Sequence, residues 1–282
     1  MISLVKPWDC ASVAIQVVEP LRTECVFAVV IPVRNEEASL PATLEALAVQ
    51  RDTSGSPLDP DRFEIILLVN NSDDGSAAAA RAFASQHSEL ALHIVEIDLP
   101  EEEAHVGRAR RLLMDLAAAR LGPVAVIATT DADTVVAPDW IAMTLAEIAA
   151  GADAVAGRIL VDPAGFAQHD RHAQLFHLRD VSYRYLVTEL EARLAPDPFD
   201  PWPRHFQHFG PSMAVTVETY LRAGGMPPLP SLEDVAFYDA LRRIGARIRH
   251  APTVRVVTSA RPTGRTGFGF AVQLGRWSQM GA

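Results

Sequence analysis

The stretch Val124-Ala125-Val126-Ile127-Ala128-Thr129-Thr130-Asp131-Ala132-Asp133 decides how this chain is read. Its first six residues are small or β-branched, the composition of a strand covered on both faces. Two carboxylates two residues apart follow at once. Sheets sandwiched by helices bind ligands at the carboxyl ends of their strands, so Asp131 and Asp133 are placed to reach one hard cation. Mg²⁺ or Mn²⁺ prefers oxygen ligands and leaves coordination sites open for phosphate oxygens. A plain turn after a strand also reads as Asp-x-Asp; the buried strand before it favours the metal reading.

Upstream, the same grammar repeats. Val26-Phe27-Ala28-Val29-Val30-Ile31 is a buried strand closed by Pro32, and Leu40, Leu44 and Leu47 mark a helix after it. Glu64–Val69 is a second strand, followed by a helix over Ala77–Ala84 that Ser76 is expected to cap. Leu92–Ile97 is a third strand and Val106–Arg120 a further helix. Strands alternating with helices at this rhythm predict an α/β fold, with a mostly parallel central sheet between helices in three Rossmann-like layers. Val13–Val18 alternates as an extra edge strand would. The second half is less regular. Helices are expected after Trp140, within Ala167–Leu194 and over Leu232–Ile244, and strands at Ala154–Gly157, Ser212–Thr216 and Val254–Thr258. Ala195–Phe209 reads as a Pro- and aromatic-rich loop, and Arg261–Ala282 as loop with a little helix.

Composition narrows the function. The 282 residues are 49% hydrophobic, enough for a large core, and the net charge of -10 leaves no basic face for nucleic acid. The two cysteines, Cys10 and Cys25, match no zinc spacing and fit a reducing compartment. No segment approaches the ~18–20 apolar residues that span a bilayer, and Lys6, Pro7 and Asp9 break any signal peptide. A cytoplasmic protein without a transmembrane segment is expected.

Three further polar clusters sit where the strands end or a helix begins. Arg34-Asn35-Glu36 follows the first strand, and Asn70-Asn71-Ser72-Asp73-Asp74-Gly75-Ser76 the second. Amides there can meet a nucleobase, and free N–H groups at the helix start an anion; an Asx turn with a helix cap has the same residues. Ser231-Leu232-Glu233-Asp234 offers a general base, or a capping box with Asp in place of Glu. His169, His172, His177, His205 and His208 invite a zinc reading, but no Cys or Asp/Glu-His pattern completes it.

These clusters, in this order from Phe27 to Thr258, resemble the inverting family 2 glycosyltransferases of the GT-A fold. Val-Ile-Pro-Val-Arg-Asn-Glu-Glu is similar to that family's opening strand and donor loop. Leu-Val-Asn-Asn-Ser-Asp-Asp-Gly-Ser is similar to its base-contacting loop, and Thr-Asp-Ala-Asp to its metal motif. Pro138-Asp139-Trp140, Asp153–Gly157 and Gly224-Gly225 also fall in order. The resemblance implies a hexosyltransferase acting on a nucleotide-sugar, with UDP- or GDP-sugar as donor and a small-molecule, lipid or glycan hydroxyl as acceptor. It implies that Pro32, Arg34 and Glu36 line the nucleotide pocket and that Asn70 or Asn71 faces the base. Arg108 would approach donor or phosphate, and Asp131 the ribose or metal. Asp133 would bind the metal, Gly210-Pro211-Ser212 would pass under the sugar, and Asp234 would be the base. Residues 26–157 would then form the nucleotide-sugar half and 158–260 the acceptor-binding and catalytic half, flanked by an extension (1–25) and a flexible tail (261–282).

Two positions depart from the pattern. Asn70 stands where many members have Asp, which opens the nucleotide's identity. No His occupies Val256–Arg261, where several relatives place a third metal ligand, and His250 lies too early. Gln273-Leu274-Gly275-Arg276-Trp277 looks like the Gln-x-x-Arg-Trp signature of processive synthases, which pair it with membrane helices; Arg261, Arg265 and Arg276 are candidate phosphate partners. Nucleotidyltransferases and dinucleotide oxidoreductases need a Gly-rich loop after the first strand, and Pro32–Glu37 has no glycine. A non-catalytic nucleotide-sugar-binding module of the same fold is the remaining rival.

Overall fold

A computed structural model describes residues 14–264 and 269–280. Strand β1 (Phe27–Val33) pairs in parallel with β2 (Phe63–Asn70) and with β4 (Val126–Thr129), and β2 with β3 (Ala91–Ile97). Because side chains alternate along a strand, the two faces of β1 and β2 feed two cores. Phe27, Val29, Ile31, Ile65 and Leu67 pack under helix α1 (Leu40–Ala48). Ala28, Val30, Ile66 and Leu68 pack under helix α3 (Val106–Arg120), through Leu113 and Met114. Helix α2 (Ser76–Gln86) completes the first half.

Beyond β4 the sheet changes direction. The chain turns through Asp131–Asp133 into a short strand, β5 (Thr134–Val136), which the residue pattern does not reveal. Then come α4 (Trp140–Ala149), β6 (Ala154–Val161), α5 (Pro163–Phe166), α6 (Arg171–Leu194), β7 (Met213–Thr216), α7 (Val217–Arg222), α8 (Glu233–Arg243), β8 (Ile248–Thr258) and α9 (Phe270–Met280). The eight-stranded order is β3-β2-β1-β4-β7-β6-β8-β5. β7 runs antiparallel to β4 and β6, β5 antiparallel to β8, and β6 parallel to β8. The expected parallel majority therefore holds, with every antiparallel pair involving β7 or β8 of the second half.

Several expectations change. Residues 14–18 form no strand, although Ile15 and Val17 lie against the α3 core; Val13 is outside the described residues. Gly75, not Ser76, caps α2; the Ser76 hydroxyl instead donates to Asp74 and accepts from the Glu36 N–H. β8 begins six residues early, at Ile248, because its first half pairs with Ala154–Gly157 before a register shift. The loop expected over Ala195–Phe209 is pinned rather than loose. Asp200 accepts from the His250 backbone N–H at 2.9 Å and from Arg249 at 3.0 Å, and contacts His250 Nδ1 at 2.8 Å. The tail contains a full helix, α9, whose Phe270 and Trp277 meet His177 of α6. Trp277 of the Gln-x-x-Arg-Trp stretch thus serves helix packing; Arg265 lies outside the described residues. Among the described residues no helix is long and apolar enough to cross a membrane.

Candidate active site

The loops after β1 and β2 are joined by reciprocal hydrogen bonds. Asn35 and Asn71 both take left-handed backbone angles (φ 54° and 47°), a conformation that Asn tolerates better than branched residues. The Asn35 amide donates to Asp73 at 2.6 Å, and the Asp73 N–H returns to the Asn35 carbonyl oxygen at 3.0 Å. Glu37 N–H donates to Asp74, and Gly75 N–H to the Glu37 carboxylate, each at 3.0 Å. A Cβ at Gly75 would overlap that carboxylate. Asn71 spends both ends of its amide on Leu99, donating to its C=O at 2.8 Å and accepting from its N–H at 3.1 Å. Asn70 is buried beside it with only a 3.4 Å contact to Asn71.

Arginines organise the acids. Arg110, one turn inside α3 and buried, donates from one Nη to Asp131 and from the other to Glu233. Burial opposes its charge, but Asp131, Glu233 and Asp234 together raise its pKa, so it stays a guanidinium. Burial in turn pushes the Glu233 carboxyl up, offset by Arg110. Arg261, just past β8, bridges Glu36 (2.8 and 3.0 Å) and Asp133 (3.1 Å). The Asp133 carboxyl is pushed up to about 6, by burial first and then by the charge of Asp131, with Arg261 pulling the other way.

Chemically, this is an oxygen-rich turn short of positive charge. Beside it the buried hydroxyls of Thr129 and Thr130 and the Nε of Arg110 have no hydrogen-bond partner among the described residues. A divalent cation on Asp131 and Asp133 would relieve the mutual repulsion, so the residues fit such an ion. Among the described residues no three His, Cys, Asp or Glu side chains gather into a complete metal cage, an arrangement in which phosphate oxygens would fill the remaining positions.

Asp234 lies in the first turn of α8, behind Leu232, whose φ of 58° is strained for a branched side chain. The capping box with Ser231 does not form: Leu232 is the N-cap, without a side-chain cap. Asp234 instead accepts from the Gly210 N–H and from the Val235 N–H, both at 2.8 Å. A Cβ at Gly210 would overlap the Arg110 guanidinium, so a larger residue there would have to displace it. Glu36, Asp131, Asp133, Gly210 and Asp234 are therefore brought together by Arg110 and Arg261.

Other predicted residues are held by partners of their own. Pro32 is half-buried at the end of β1. Arg34 donates to the Ala104 carbonyl at 2.7 Å, and Arg108 pairs with Glu103 at 2.9 Å. Ser212 is buried and accepts from the Trp140 indole at 3.0 Å. His205 is buried, and its pKa falls to about 3, through burial and then the neighbouring His250. His208 stacks on Tyr238 with centroids 3.9 Å apart. Arg110 is absent from the candidates read from the sequence, and Glu233 enters there only as half of the acidic pair with Asp234. The signal was present: Arg110 falls in line with Leu113, Met114 and Ala117 at helical spacing, a charge set in the apolar stripe.

A profile of glycosyl transferase family 2 matches residues 28–208. The fold is that of the GT-A glycosyltransferases, and the chain belongs to glycosyl transferase family 2. Among solved structures it is similar to the mannosyltransferase PcManGT from Pyrobaculum calidifontis in complex with GDP-Man and Mn²⁺. There the identity is 21% and the TM-score 0.58, over 93% of this chain and 62% of that one. It is also similar to S. aureus TarS 1-349 in complex with UDP-GlcNAc (14%, 0.58, over 90% and 65%) and to GalNAc-T7 with UDP, GalNAc and Mn²⁺ (19%, 0.58, over 91% and 48%). The chain thus spans under two thirds of the length of these structures. No curated protein sequence matches it.

Two outcomes follow from this geometry. Gly210→Ala should displace the Arg110 guanidinium and lower turnover about 100-fold, with circular dichroism unchanged; wild-type turnover would contradict the packing. In metal-free protein the Asp133 carboxyl lies near 6 when folded and near 3.9 when unfolded. The folded state therefore holds its proton more tightly, and stability falls as pH rises from about 4 to about 6. Asp133→Asn should be more stable than wild type at pH 8, by on the order of 2 kcal/mol, with the gain vanishing near pH 4 in urea titrations.

Proposed function

We propose that the protein transfers a sugar from a UDP- or GDP-sugar to an acceptor hydroxyl, with inversion, using Mg²⁺ or Mn²⁺ at Asp131 and Asp133. The observation that carries this reading is the shared anchoring of Asp131 and the Glu233-Asp234 pair on Arg110 and Gly210. It sets donor-side and acceptor-side carboxylates in one rigid frame. PcManGT was solved with GDP-Man and Mn²⁺, and GalNAc-T7 with UDP, GalNAc and Mn²⁺, which supports a nucleotide donor and a divalent cation here.

In this scheme Pro32, Arg34 and Glu36 form one wall of the nucleotide pocket. Asn70, whose amide is little used by the protein, faces the base. Gly210 and Ser212 carry the backbone under the sugar, and Arg108 stays at the rim. Asp234, oriented by the Gly210 and Val235 N–H groups, takes the proton of the acceptor hydroxyl. The acceptor oxygen then bonds to the anomeric carbon as the bond to the diphosphate breaks. Asp131 and Asp133 would hold a cation that would neutralise charge developing on the departing diphosphate. Arg261 sits within reach of the same region and adds a fixed positive charge.

Asp234→Asn should reduce turnover of the nucleotide-sugar about 1,000-fold while its binding, measured calorimetrically, stays unchanged. Near-wild-type turnover would sink the base assignment. Removing metal with EDTA should abolish turnover, and Asp133→Ala should weaken metal-dependent donor binding. Full activity in EDTA would end the metal reading. Tight metal-dependent binding with no turnover of any nucleotide-sugar would identify a binding module.

A further inference from the structure

Helix α6 is built inside out. Its buried residues are Ala173, Thr188 and Ala192, all small, whereas all five of its leucines face solvent. Leu186, Leu190 and Leu194, on successive turns, are 67%, 56% and 76% exposed, and Tyr183 is 67% exposed. Single exposed leucines are ordinary, but a continuous row on one helix marks a surface that is covered in use.

The charge on that row is equally one-sided. At 3.6 residues per turn, Leu175, Arg179, Tyr183, Leu186, Leu190 and Arg193 fall within an arc of about 80°. No acidic residue enters that arc. Arg171 and Arg179 form no ion pair among the described residues; Arg184 and Arg193 pair with Asp180 and Glu189 on their own helix. Arg179 and Arg193, the two arginines within the arc, are exposed in a chain whose net charge is -10; Arg171 lies about 40° outside it and Arg184 on the opposite side of the helix.

We propose that the outward face of α6 docks on an anionic lipid surface, with the helix in the plane of the headgroups. The leucines would enter the headgroup–acyl boundary while Arg179 and Arg193 stay among the phosphates, their stems buried and their guanidiniums snorkelling. A second copy of the chain is the poorer fit. A two-fold with parallel α6 helices would set Arg179 against Arg179 and Arg193 against Arg193. The helix is too polar to span the bilayer. It is also tied to the carboxylate site, because His169 at its approach contacts the carbonyl of Ala260, next to Arg261.

The test is co-sedimentation of the full chain with vesicles of phosphatidylcholine, alone or mixed with phosphatidylglycerol. The protein should partition onto the mixed vesicles and not the neutral ones, less so as salt is raised. Leu186→Ser with Leu190→Ser should weaken that binding about tenfold without altering helicity or nucleotide binding. Arg179→Ser should weaken binding to the mixed vesicles as well. No partitioning onto the mixed vesicles, or equal binding by the double variant, overturns the proposal. So does a wild-type dimer in sedimentation equilibrium that the double variant dissociates, which would assign the face to a second copy.

Discussion

The site depends on one buried guanidinium. Arg110 enters from α3, a helix whose same face packs against the sheet, and meets carboxylates contributed by two distant parts of the chain. Burying an unpaired arginine or glutamate costs several kcal/mol, so each of these groups requires the other to be present. Gly210 suits this arrangement, since a Cβ there would overlap the Arg110 guanidinium. Its N–H in turn holds Asp234. From one ion-pair network come the place of the Asp-x-Asp turn, the path of the chain at Gly210 and the direction of the general-base candidate.

Around this network the sheet supplies rigidity of two kinds. The parallel half presents the ends of β1, β2 and β4 together, and the paired loops at Asn35–Glu37 and Asp73–Ser76 restrain its outer wall. The antiparallel half brings β7 and the end of β8 alongside, so that Gly210 reaches Asp234 while Arg261 reaches Glu36 and Asp133. Family membership and the GT-A fold do not by themselves name donor or acceptor.

What the residue pattern reveals divides by distance along the chain. β1, β2, β4 and α3 lie within about two residues of their expected places, because uninterrupted β-branched runs and a leucine stripe leave few alternatives. Asp131 and Asp133 were legible for the same reason: a strand, then two acids, is a local pattern. β5 has three residues and exists only because β8 pairs with it. Arg110 and Glu233 are 123 positions apart, and Glu36 and Arg261 are 225 apart; no spacing rule connects them. Ser231 and Asp234 show the converse error, since a sound local motif yielded to the tertiary bond from Gly210.

The proposed function turns on whether Asp131 and Asp133 hold a divalent cation together with a nucleotide diphosphate-sugar. Thermal melting against UDP- and GDP-sugars, each with and without Mn²⁺, tests it most directly, because a ligand that binds only the native state must raise the melting temperature. The account predicts a rise with one nucleotide that needs Mn²⁺ and disappears in Asp133→Ala. A rise of equal size without metal, or with Asp133 removed, would contradict it.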